Sequence, residues 1–297
     1  MGADRAYNRR DGFTLIELSI VLIVIGLIVG GILVGQNLIN AAAIRAQVSQ
    51  IEKYNTAANT FREKYGYLPG DITPQAVAQF GFTAAPSRQG TAGAGDGNGE
   101  IDGNASGPVF SFNQAGEPLF FWEDLSTNSH LIEGGFNATY GAYGIPGSSG
   151  VCNTIAACSA FLPYAKIGNG AFVYVYSGYA ANCCAATGTG PNFFGLSFIN
   201  SMSYGNVRMG PLPPTLALTV AQADAIDTKV DDGFPTTGNV LAQWLGTTGE
   251  QQWSPNGSTP SASTCYDNSS GTYKYSISYQ NGALVNCGLS FKMQAGD

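Results

Sequence analysis

The 297-residue sequence predicts an α+β chain: a long amino-terminal α-helix, first transmembrane and then amphipathic, packed on a β-rich globular head. Three observations predict it. From Ile20 to Gly35 no side chain is polar. Beyond that run, Ile44, Val48, Ile51, Tyr54, Ala58, Phe61 and Tyr65 recur every three or four residues, which places them on one helical stripe. The 40 glycines and 15 tyrosines, with only 11% charged residues, read as many turns and half-buried aromatic strands rather than a helical bundle.

The first element begins at Arg9-Arg10-Asp11-Gly12-Phe13-Thr14-Leu15-Ile16-Glu17-Leu18. As a helix rising about 1.5 Å per residue, Phe13 to Gly35 is long enough to cross roughly 30 Å of hydrocarbon. Glu17 lies in its first turns, where an unpaired acid is costly and usually marks a pairing or transport role. This stretch resembles the class III signal of type IV prepilins and pseudopilins: a short basic leader ending in Gly, then Phe, Thr-Leu-Ile-Glu and an apolar helix. The resemblance implies that a membrane prepilin peptidase cuts between Gly12 and Phe13 and methylates the new amino terminus. It implies further that Glu17 offsets the buried amino group of Phe13 on a neighbouring subunit. An ordinary secretory signal cut near Ala41 and Ala43 explains neither Glu17 nor the Gly12-Phe13 junction, and its apolar core is shorter than this one. For a plain single-pass anchor, Glu17 is only a liability.

The stripe from Ile44 extends the helix to about Tyr65, near 80 Å in all at 1.5 Å per residue. Gly26 and Gly30, and Gly31 and Gly35, are spaced as GxxxG pairs that let helices approach closely in an apolar setting. Many members of the family have a Pro in this stretch where this chain has Val34. Gly66-Tyr67-Leu68-Pro69-Gly70-Asp71 stops the helix and opens a turn. The organisation expected is a leader over 1–12, the long helix over 13–66 with its membrane segment at 13–35, and the head over 67–297. Residues 84–108, rich in Gly, Asp, Asn and Ser, read as a long surface loop. Pro118 to Leu125 reads as a short helix burying Leu119, Trp122 and Leu125. Ala171–Tyr176 and Asn192–Ile199 read as strands. Thr219-Val-Ala-Gln222 has the form of a capping box and opens a helix with Val220, Ala223, Ile226 and Val230 on one side, ended by Gly233 and Pro235. Tyr273, Tyr275, Ile277 and Tyr279 alternate with polar residues, and Asn281-Gly282 is expected to turn that strand back into a second one over Leu284–Met293. The Leu68–Asp71, Trp122–Ile132 and Ala225–Gly233 elements also resemble pilin-like proteins.

The net charge is −7, and removal of the leader makes the exported chain more negative by a single charge. Phosphate neutralisation needs clustered Lys and Arg, so no nucleic-acid partner is expected. All six cysteines, Cys152, Cys158, Cys183, Cys184, Cys265 and Cys287, fall in the head, where disulfides are the default and 15 connectivities are open. The resemblance favours Cys265 with Cys287, because type IV pilins often close a carboxy-terminal loop this way. For the remaining four, 152/158 with 183/184 and a vicinal 183–184 bridge stay open. Their spacing does not suit zinc, and His130, the only histidine, reads as structural or exposed.

Asp96, Asn98, Glu100 and Asp102 alternate through a glycine-rich loop, an arrangement that wraps a hard cation. The match to an EF-hand loop is partial, since Ile101 occupies the sixth position and no Glu the twelfth. Calcium is the one cofactor the sequence suggests, and pseudopilins include calcium binders; a solvated turn cluster is the competing reading. A second acidic set, Asp224, Asp227, Asp231 and Asp232, lies on and after the predicted 219–232 helix, with the last two at the end where the macrodipole disfavours negative charge. No Walker loop, GxSxG elbow, HExxH or dinucleotide fingerprint is present, and no enzyme activity is expected. The reading is a structural subunit, stored in the bacterial inner membrane with its head outside the cytoplasm. It then enters a pilus or a periplasmic pseudopilus with copies of itself or other pilins. A minor pseudopilin of type II secretion and a membrane-tethered, calcium-stabilised adhesin or binding domain are the alternatives.

Overall fold

The computed structural model describes residues 14–82, 88–90, 93–101, 116–138, 152, 154–177, 190–199, 201–203, 206–208, 218–244 and 260–295. Its elements run α1 (Leu15–Tyr65), α2 (Pro74–Phe80), α3 (Glu117–Glu123) with a π-helical turn over Asp124–Asn128, and α4 (Ile155–Cys158). They continue with β1 (Ala171–Ser177), β2 (Asn192–Phe198), β3 (Ser201–Ser203), β4 (Asn206–Arg208), β5 (Leu218–Thr219), α5 (Val220–Val230), β6 (Val240–Trp244), β7 (Tyr266–Asp267), β8 (Lys274–Tyr275) and β9 (Val285–Lys292). This is the expected α+β architecture, a long apolar amino-terminal helix and an antiparallel sheet. Contacts divide the chain into two compact units, Met1–Ala43 and Ile44–Asp297.

In the first unit the large apolar side chains from Leu15 to Ile39 are exposed, Leu15 by 87% and Ile39 by 69%. Among the described residues α1 is the one helix long and apolar enough to cross a membrane. In the second unit, Val48, Ile51, Tyr54, Ala58 and Phe61 are buried, as the stripe predicts, and Ile44 and Tyr65 at its ends are half-buried. The same face also buries Gln47, Gln50 and Asn55, which apolar periodicity does not foresee. Each supplies an acceptor to a loop amide outside the sheet ladders. Gln47 Oε1 accepts from Ile167 N at 3.0 Å, Gln50 Oε1 from Lys166 N at 2.9 Å, and Asn55 Oδ1 from Gln294 N at 3.0 Å. Buried backbone donors must find partners, and here the helix provides them.

The main sheet is antiparallel with order β1-β2-β9-β5, and β6 also pairs with β9. All of β1 and β2 is buried, which explains their unbroken aromatic and β-branched character. Tyr174 lies opposite Gly195, where a Cβ would stand 2.0 Å from the tyrosine ring; glycine is needed there so the ring can lie across the strand. Tyr54 of α1 meets Trp122 of α3 edge-on at 5.0 Å, and Phe121 meets Phe194 of β2 at 5.8 Å. The predicted 118–125 helix is thus present, but every residue of α3 is buried rather than one face.

Three expectations are corrected. The strand expected over 273–279 does not pair with β9. Only Lys274–Tyr275 is extended, paired with Tyr266–Asp267, and Tyr279–Gly282 forms a 3-10 turn with Gln280 and Asn281 at positive φ. β2 and β6 both pair with residues 289–291 of β9, so no edge is left there for a hairpin partner. Ile277 and Tyr279 are consequently 36% and 39% exposed. The 84–108 segment is not simply a surface loop: Arg88, Ala94 and Ile101 are buried in its described parts. Lastly, the Thr219–Gln222 capping box forms and Val220, Ala223 and Ile226 are buried, but Val230 at the last turn is 43% exposed.

Candidate processing and assembly site

Thr14 caps α1. Its amide and hydroxyl donate to Glu17 Oε2 at 2.8 and 2.6 Å, and the Glu17 amide donates to Thr14 Oγ1 at 3.3 Å. This is a reciprocal capping box, the arrangement open to a Thr followed three residues later by Glu. It holds the carboxylate against the backbone a single peptide unit from the bond at which cleavage is expected. Gly12 and Phe13 themselves lie outside the described residues. The arrangement satisfies free amides of the helix end and leaves the Glu17 carboxylate exposed at the start of the apolar helix.

A basic leader, this acid and an uncovered apolar helix in sequence fit a membrane-anchored precursor. Residues 7–33 match the family described as the prokaryotic N-terminal methylation motif. Residues 7–33 thus carry the class III prepilin signal of type IV pilins and pseudopilins, which supports a processed, pilin-like subunit. No curated protein and no solved structure matches the chain.

In the head, carboxylate oxygens of Asp71, Asp96 and Glu117 lie within 4.8 Å of one another. Asp71 follows the Leu68-Pro69-Gly70 turn, and its oxygens accept from Gly97 N at 2.6 Å and Gly99 N at 2.7 Å. Glu117, in the first turn of α3, accepts from Gly95 N at 2.8 Å. Gly95 has φ +78° and a Cβ there would stand 2.4 Å from the Ile72 carbonyl oxygen, so the loop can lie against the turn only as glycine. Burial pushes the Asp71 carboxyl up to about 7 against the pull of the Gly99 and Gly97 amides, with Asp96 adding repulsion. Three carboxylates form a hard oxygen donor set of the kind that holds calcium.

Of the residues read from alternation, Asp96 joins this cluster, and no local pattern points to its distant companions Asp71 and Glu117. Asn98 bonds with Asp96 Oδ2 at 3.2 Å and with Glu100 N at 2.7 Å, and Glu100 accepts from Gly190 N at 3.0 Å. Asp102 lies outside the described residues. Below the cluster, the fully buried Asp124 accepts from Gly70 N at 2.7 Å, Arg88 Nη2 at 2.6 Å and Asn128 Nδ2 at 2.9 Å, tying turn, loop and π-helical turn together.

Asp227, Asp231 and Asp232 also converge. Asp231 accepts from the Asn239 and Val240 amides, and Asp232 from Phe234 N and the Thr237 hydroxyl. The turn's own donors thus offset acids at a helix end that disfavours them. Asp227 accepts from the Tyr275 hydroxyl at 2.7 Å and from Gly233 N at 3.2 Å. Asp224, one turn earlier on α5, is half-buried. Disulfides join Cys265 to Cys287 and Cys152 to Cys158; Cys183 and Cys184 lie outside the described residues. His130 is exposed at φ +57°.

Proposed function

We propose that this chain is a structural, non-enzymatic subunit of a type IV pilus-like filament. The precursor waits in the bacterial inner membrane with its head outside the cytoplasm. Prepilin peptidase cuts after Gly12 and methylates Phe13, and the helix beginning there polymerises with copies of itself or with other pilins. Glu17 then serves as counter-ion to the amino group of an adjoining Phe13. The observation that carries this reading is the methylation motif running directly into an exposed apolar helix with one acid in its first turn. Mass spectrometry of the exported product tests it: methylated phenylalanine at the amino terminus supports the reading, and any other terminus removes it. Electron microscopy of cells expressing the chain separates surface pili from a periplasmic pseudopilus.

The Asp71–Asp96–Glu117 cluster favours one addition. We propose calcium as a stabilising ligand of the head, held by these three carboxylates. In the alternative of a tethered adhesin that never polymerises, calcium has the same role but Glu17 has none. Replacing Glu17 and assaying sheared fibres separates the two.

A further inference from the structure

We propose that the α5–β6 corner of one copy, carrying Val230, Asp232 and Phe234, seats in a cleft beside Lys53 and Lys166 of the next copy. This rests on the polymerisation reading and names the head surfaces that such a filament brings together.

Two clefts flank the carboxy-terminal part of α1. The first, of about 500 Å³, takes Ser49, Gln50 and Lys53 from α1 and has an apolar floor that includes Phe136 and Leu162. The second, of about 310 Å³, takes Ile51, Glu52 and Asn55 from α1 and runs to Lys229 and Val230 at the end of α5. At 3.6 residues per turn, the two sets of α1 positions point roughly 180° apart. A subunit that repeats head-to-tail needs two different, complementary surfaces on opposite sides, since a heterologous contact that does not close generates a helical filament.

The chemistry of the two sides is complementary. The first cleft carries Lys53 and Lys166 against Glu133, which lies 3.8 Å from Lys53 with its side chain 97% exposed. The lining is net cationic and offers half-exposed Tyr164 as an apolar wall. The second cleft is itself lined by Glu52, Lys229 and Lys292, and the acid lies on the corner beside it, where Asp231 and Asp232 outnumber Lys229. There Val230 and Phe234 stand 43% and 42% exposed on a corner whose backbone is fixed by the Asp231 and Asp232 bonds. An apolar pair on an acidic, rigid corner matches an apolar cleft with cationic walls, and opposite charges across the contact set its register.

The test uses the full chain in cells in which it assembles. With Lys166→Cys and Phe234→Cys in the same chain, oxidised filaments run as a ladder of dimers, trimers and higher multimers on a non-reducing gel. Each single replacement alone yields no ladder. Lys166→Glu lowers the yield of sheared filaments about ten-fold while the membrane-stored pool is unchanged. Filaments that form without a ladder, a ladder from either single replacement, or an undiminished Lys166→Glu yield overturns the pairing. A wild-type chain with no methylated Phe13 and no filaments removes the polymerisation reading instead, and this pairing falls with it.

Discussion

The Thr14 hydroxyl donates to Glu17 Oε2 at 2.6 Å, so the acid inside the apolar helix is satisfied by its own helix end. Glu17 thus has a partner within the chain before any other subunit is present. An amino group created at Phe13 must compete with the Thr14 donors, and a full positive charge is the stronger partner. Glu17→Ala is expected to leave the membrane-stored pool unchanged and to reduce sheared filaments at least ten-fold, measured by immunoblot of the two fractions. Equal filament yield would show that the acid is only a cap.

Asp124 should be the most sensitive polar residue in the head. Its replacement by Ala takes the hydrogen-bonded carboxylate from buried Arg88, leaving it only the nearby Glu123 charge, and frees the Gly70 amide. A loss of about 3–5 kcal/mol is expected, read from denaturant unfolding of the detergent-solubilised chain. A loss below about 1 kcal/mol would place the Arg88 guanidinium in water rather than in the core.

Asp227 sets a pH dependence. Burial raises its carboxyl to about 6, despite the Tyr275 hydroxyl and Gly233 amide, with Asp232 and Asp231 adding repulsion. The folded state therefore holds a proton that the unfolded state, near 3.8, releases. This contribution to stability is fully present below pH 4 and is lost as pH rises to about 6. Thermal unfolding of wild type against Asp227→Asn checks it, since the variant should lack that component of the slope.

Calcium at millimolar concentration should raise the unfolding temperature of the wild-type head, and Asp96→Ala should abolish the rise. A hundred-fold excess over Kd corresponds to about 2.7 kcal/mol. An unfolding temperature that does not move would remove calcium from the proposal.

Reduction should act mainly through Cys265–Cys287, which closes a loop with a sequence separation of 22. A loss of about 3 kcal/mol is expected for Cys265→Ala with Cys287→Ala, by the same denaturant assay. The bond joins the start of the 265–275 segment to β9, so its loss should also expose Tyr275 to quenchers.

The sequence by itself determined the processing signal, α1, the apolar face of its second half, strands β1 and β2 and the capping box at Thr219. Each is encoded within one turn or a few strand residues, where propensity and periodicity act directly. The tertiary structure decided what depends on residues far apart in the chain. Alternating tyrosines at 273–279 suggested a hairpin, but the edges of β9 are taken by β2, β5 and β6. Alternating acids at 96–102 suggested a local cation loop, and only folding shows that Asp96 also meets Asp71 and Glu117. Gln47 and Gln50 carry no apolar signal, and they are buried because the amides of Ile167 and Lys166 bond them. Local pattern can specify which face of a segment is buried. What that face meets is settled only when every buried donor, acceptor and sheet edge in the head finds its partner at once.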